Sequence, residues 1–243
     1  MEVHHHAHTH EKKSWKAYVW EFLMLFLAVF CGFLAEYQLE HVIEHQREKE
    51  YVRSFVEDIK QDTAELVEVI AGLERKLKFR DSLLAELGNP SILTNSNKAY
   101  YYTRLSYHFP DFIYNDRTIQ QLKNSGGMRL IRNKHVSDSI MDYDAYVRTL
   151  FIHQQQLNVF ALNLVAPMDK LFNKRLLEGK DGTIPFKPVP LLNPDIKDVE
   201  EFYNYMIDQK KGFEVLRDVE VALLRKGSRV IQFVQKEYQL EKE

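Results

Sequence analysis

The chain has 243 residues, a formal net charge of −2, 9 Gly, 7 Pro and 1 Cys. Gly and Pro together make up about 7% of it, against roughly 12% in an average protein, so tight turns are few. That argues for a small number of long elements and against sandwiches, barrels and nucleotide-binding α/β folds. One cysteine excludes an internal disulfide and a Cys-based zinc cluster, and the near-zero charge leaves no footprint for a nucleic-acid partner.

The chain opens with a histidine-rich tail, residues 1–16, in which His4, His5, His6, His8 and His10 crowd together. Imidazole is a common metal ligand, so this tract is the candidate for weak Zn, Ni or Cu binding. No cofactor is otherwise expected. Residues 17–35 then read AYVWEFLMLFLAVFCGFLA, with Glu21 the one charge. A spanning helix needs about 20 largely apolar residues. Trp15, Tyr18 and Trp20 at one end match an interfacial aromatic belt. Glu36-Tyr37-Gln38 follows where a cleaved signal peptide would want small residues, so the run reads as an uncleaved anchor in the lipid bilayer. Lys12, Lys13 and Lys16 precede it, while Glu36, Glu40 and Glu44 follow. The positive-inside rule then keeps the tail in the cytoplasm and sends residues 36–243 outward. Glu21 is an ion-site candidate by position, but a side chain one turn from the interface explains it more simply.

His41-Val42-Ile43-Glu44-His45 fits an H-x-x-E-H metalloprotease pattern, with His41 and His45 as ligands on one helix face. The string lies in a charged stalk, residues 36–50, where such patterns arise easily, and no distinctive third ligand follows. A solvated face is the plainer reading.

From Val52 a helical seam runs through Val56, Ile59, Thr63, Leu66, Ile70, Leu73, Leu77, Arg80, Leu84 and Leu87, and Gly88-Asn89-Pro90 stops it. Shorter helices are expected at roughly 97–108 and 116–124, split by Pro110. Tyr100, Tyr101, Tyr102 and Tyr107 on the first of these fit a core face better than a ligand groove. A second seam runs Val136, Ile140, Tyr143, Val147, Leu150, Gln154, Leu157, Ala161, Leu164, Met168 and Leu171, with Pro167 expected to kink it. Residues 179–197 hold four of the seven prolines. This long loop has apolar contents (Ile184, Phe186, Val189, Leu191, Leu192) and is expected to lie extended against the bundle or a partner. The last seam runs Phe202, Met206, Gln209, Phe213, Leu216, Glu220, Leu223, Gly227, Val230 and Val234, with Asp198 and Glu201 as its expected capping box.

A span opening with Tyr18 and Glu21 and closing with Gly32 and Ala35 leads into a charged helix carrying Tyr51, Phe55, Asp58 and Asp62. Later comes Thr118-x-x-x-Leu122-x-x-Ser125-Gly126-x-Met128-x-Leu130-Ile131-x-Asn133, then a helix with Ile140 and Tyr143. Up to about residue 150 the chain resembles a family of single-pass inner-membrane proteins of Gram-negative bacteria, defined as a domain of unknown function. The segment Ser125, Gly126, Leu130, Ile131 and Asn133 carries most of the likeness. The histidine tail and the proline loop depart from it. The resemblance implies a bacterial inner-membrane anchor and a periplasmic helical domain, and no catalytic residues. On the residues themselves, Ser125-Gly126 breaks a short helix so that Leu130 and Ile131 plug the bundle.

Together these features predict an all-α protein: an N-terminal transmembrane helix continuing into a stalk and an antiparallel helical bundle. The function expected is a non-enzymatic scaffold or accessory subunit of an envelope complex, homo- or hetero-oligomeric, acting through other membrane or periplasmic proteins. Ligand sensing through a membrane partner and metal binding by the tail are the alternatives.

Overall fold

The computed structural model describes residues 14–179 and 182–240, so the tail histidines His4, His5, His6, His8 and His10 lie outside the described residues. The fold is all-α, with no strand among the described residues. Among the described residues seven α-helices follow in order: α1 (Trp15–Leu87), α2 (Asn97–Ser106), α3 (Arg117–Asn124), α4 (Lys134–Asn163), α5 (Val165–Leu171), α6 (Lys174–Leu177) and α7 (Ile196–Tyr238). Single 3-10 turns occupy Pro90–Leu93 and Gly127–Leu130. The chain divides into two units, Met1–Glu50 and Tyr51–Glu243.

In the first unit the described residues form one helix. Its apolar stretch is long enough to cross a membrane and none of it is covered by other residues. Phe22, Phe26 and Phe30 recur every four residues, and their rings stack at 6.3 and 5.9 Å. Fourfold spacing on a 3.6-residue helix puts them on one face.

The second unit is the bundle. The sequence seams locate its core: every seam position on α7 is buried, and so is every seam position from Val136 to Leu171. On α1, Val52, Val56, Ile59, Leu66, Leu73, Leu77, Arg80 and Leu87 are buried, while Thr63, Ile70 and Leu84 are half-buried. What the seam missed is a second buried column on α1: Phe55, Asp58, Asp62 and Val69. That column faces a strap without regular structure, residues 107–116, which lies along α1. Pro110 of the strap comes so near Gly72 that a methyl group there would meet its Cγ at 2.9 Å. Phe109 and Phe112 of the strap are buried in the core shared by α1, α4 and α7. On the other side Gly227 of α7 has Thr63 Cγ2 within 2.8 Å of where a Cβ would stand, which sets the approach of α7 to α1.

A second apolar cluster joins Leu83, Leu87, Tyr100, Leu171, Phe172, Leu177 and Phe202. It draws in Val189 and Leu191 from the proline-rich loop. Ile184 of the loop packs against it half-buried, while Phe186 and Leu192 remain exposed. Three expected boundaries shift. The first short helix ends at Ser106, before 108. Pro167 does not kink a continuous helix: α4 stops at Asn163 and α5 restarts at Val165. The break places Pro167 in a first turn, where a missing N–H costs nothing. Asp195, not Asp198, caps α7, accepting from Lys197 N at 2.9 Å. Asp198 instead pairs with Lys170 at 2.6 Å.

Candidate functional site

The strap has no helix or strand to satisfy its backbone, so side chains do it. Glu65 Oε1 accepts from Ile113 N at 2.9 Å, and Asp62 Oδ1 accepts from Asn115 N at 2.9 Å. Asp58 Oδ2 accepts from Thr118 N at 3.0 Å, in the first turn of α3. Spaced by three or four residues, the three acids share one face of α1. Asp58 also pairs with Arg117 at 2.8 Å, and Tyr143 OH donates to Asp62 Oδ2 at 2.9 Å. Burial pushes the Asp62 carboxyl up to about 6, against the pull of its hydrogen bonds from Asn115 and Tyr143. The Tyr143 phenol is pushed up by burial and by the Asp62 charge beside it.

A second polar node lies where α1 meets α2 and α7. The fully buried Arg80 donates through Nη1 to Gln209 Oε1 and through Nη2 to Ser106 O, both at 2.6 Å. Its guanidinium carbon lies 4.0 Å from the Phe213 ring centroid. Lys76 Nζ donates to Leu105 O at 2.6 Å. Two cations thus meet the C-terminal carbonyls of α2, where the helix dipole is negative. Desolvation lowers the Arg80 guanidinium to about 10, where it is still charged at neutral pH.

The tyrosines of α2 divide. Tyr100 is 1% exposed and packs tilted against Phe172, ring centroids 5.3 Å apart, as a core residue should. Its hydroxyl reaches the exposed Glu178, and here a cleft of about 310 Å³ opens. Tyr100, Arg104, Tyr107, Met168, Lys174 and Glu178 line it together with Val165. Arg104 donates to Gly182 O at 2.8 Å, and Lys174 pairs with Asp169. Tyr100 thus engages Glu178 across the cleft, while its two cations bond groups outside the lining.

The segment Ser125–Asn133 works as a connector. Ser125 Oγ donates to Gln121 O at 2.6 Å and ends α3. Gly126 takes a left-handed φ of 70°, which favours glycine. Ile131 is buried while Leu130 is only half-buried, so a single residue makes the plug. Asn133 caps α4, accepting from His135 N at 3.0 Å, and its amide donates to Glu237 at 2.8 Å. In the first unit, Glu21 and Gly32 are exposed on α1, and a Cβ at Gly32 would meet nothing. His41 and His45 are exposed; His41 lies edge-on to Tyr37, and His45 Nδ1 is 3.3 Å from Glu48 Oε2. Among the described residues no three His, Cys, Asp or Glu side chains are grouped to hold a metal ion.

Compared with protein-family models, with curated proteins and with solved structures, the chain matches none.

Proposed function

We propose that the chain is a membrane-anchored, non-enzymatic helical scaffold or accessory subunit of a bacterial envelope complex. It acts through contacts with other membrane or periplasmic proteins, or with copies of itself. The observation that carries this reading is uncovered apolar surface of helical period on an otherwise well-filled molecule. The apolar stretch of α1 has no covering residues. On α4, Ile152, Val159 and Leu162 repeat at steps of seven and three and are 55, 58 and 72% exposed. Contiguous apolar surface of this kind marks partner or membrane contact. Asp58, Asp62 and Arg80, meanwhile, are taken up in holding the strap, the start of α3 and α2. In this reading the tail is cytoplasmic and the bundle periplasmic, which the charge order around the span supports.

Crosslinking in native membranes tests this, with Val159→Glu and Leu162→Glu as variants. Crosslinked partners that disappear in the variants are the expected result. A strict monomer with nothing co-purifying overturns the reading. The cleft beside Tyr100 favours a second reading, an extracytoplasmic ligand-sensing bundle that signals through a membrane partner. Its test is a small molecule retained through native purification and lost on Arg104→Gln. Metal handling by the tail is checked by metal content after purification without affinity resin.

A further inference from the structure

The interior of the bundle holds one acid that no structural task explains. Glu220 of α7 is 0% exposed, and neither carboxyl oxygen has a hydrogen-bond partner. Its seam neighbours one turn away are Leu216 and Leu223. The core they belong to is completed by Leu66 and Leu73 of α1 and Val147 and Leu150 of α4. Compare Arg80, equally buried on α1, which has two hydrogen bonds and a ring face. An unpaired carboxylate in such a place is far costlier than a neutral acid, because its hydration is lost and nothing replaces it.

We infer that Glu220 is a proton-operated latch: the α1–α4–α7 core closes on its neutral form and loosens when the side chain ionises. The charge that acts on it comes from Asp111 of the strap and has the same sign, so it adds to burial in resisting ionisation. Among the described residues three other interior atoms lack a hydrogen bond: Arg80 Nε, whose charge is not among those acting on Glu220, and Gln154 Nε2 and Tyr114 OH. The amide does not titrate, and burial pushes the Tyr114 phenol up, so neither supplies a countercharge. Burial first, and then Asp111, raise the Glu220 carboxyl from 4.5 to about 8. With the folded value above the unfolded one, the group's contribution is fully present below about pH 4.5 and is lost as pH rises through 8. A bundle tuned this way tightens or relaxes α7 across mildly alkaline pH, wherever the protein resides.

The test is equilibrium urea unfolding of the full chain in detergent micelles from pH 6 to 9.5. The unfolding constant of the wild-type chain should rise by about tenfold or more relative to Glu220→Gln over that range. Parallel pH profiles for the two proteins overturn the inference. If Glu220→Gln does not fold, Glu220→Met, of similar length and without charge, takes its place. A second measurement needs no variant: the infrared carbonyl band of a protonated carboxylic acid in the wild-type chain at pH 7, fading toward pH 9.5. Absence of that band at pH 7 overturns the inference independently.

Discussion

Two segments without regular structure cross the bundle, and they are held by opposite chemistry. The strap, 107–116, and the first turn of α3 that follows it are pinned by ionisable acids of α1, with Glu65 and Asp62 accepting from strap N–H groups and Asp58 from Thr118 N. The proline-rich loop is pinned by neutral groups at the start of α2. Asn97 Nδ2 donates to Pro185 O at 2.7 Å and Lys187 O at 2.9 Å, while its Oδ1 accepts from Val189 N at 3.0 Å. Ser96 adds two donations to Val189 O, one from its backbone N–H at 2.7 Å and one from its hydroxyl at 2.9 Å. The strap also buries Phe109 and Phe112, whereas the loop leaves Phe186 wholly exposed. The strap is therefore built into the core and answers to charge. The loop seats Val189 and Leu191 in the second apolar cluster and is held mainly by neutral groups, with Arg104 donating to Gly182 O, so it answers less to pH.

The sharpest way to break this contrast is Asp58→Ala. It removes a buried carboxylate that holds Thr118 N and Arg117 together. Leaving a buried donor unpaired and an ionic bond unmade should cost about 3 kcal/mol of global stability. A shifted urea midpoint at unchanged slope is the reading; a loss below about 0.5 kcal/mol would show that the strap's junction with α3 is not acid-pinned. Asn97→Ala comes next. It unmakes three hydrogen bonds at once, worth about 2 kcal/mol, but the loss should stay local. Hydrogen exchange should speed up across 183–192 with little change in the bundle, and by the same amount at pH 5 and pH 8. Gly72→Ala is smaller, about 1 kcal/mol, because Pro110 must move to admit the methyl group. Its effect should appear as faster exchange in the strap and none in the loop.

How far the sequence anticipated this depends on what kind of signal each part leaves. The faces of α4 and α7 were legible at every position, because helical period records burial whatever the partner is. The second buried column of α1 was not. Asp58 and Asp62 look like solvated charges until a strap without its own backbone pairing lies over them, and a strap has no period to read. The cap expected at Asp198 falls at Asp195, and Asp198 pairs instead with Lys170, which is distant in sequence and invisible to a local pattern. Asn133 stood out as part of a segment, but its work as a helix cap emerged only with α4 in place. Glu220 sat on the seam from the start. Period alone cannot say that an acid there lacks a partner.

Asp62→Asn sharpens the comparison with the least disturbance. Asparagine keeps an oxygen for Asn115 N and an amide that can donate to the Tyr143 hydroxyl, so the geometry of the pin survives. It loses the strength of charged acceptance and gains relief from burying a charge beside Asp58 and Glu65. These offset, and the net change at pH 7 should stay within about 1 kcal/mol. The pH profile is where the variant speaks. Asp62 titrates near 6 when folded, against 3.8 for the ordinary side chain. The folded state then binds the proton more tightly, so the Asp62 contribution is complete below about pH 4 and is lost as pH rises through 6. Relative to the wild-type chain, Asp62→Asn should therefore gain stability between pH 4 and pH 7. A stability difference that is flat over that window would mean that Asp62 carries its charge as comfortably as a surface acid. The strap would then be no more sensitive to pH than the loop.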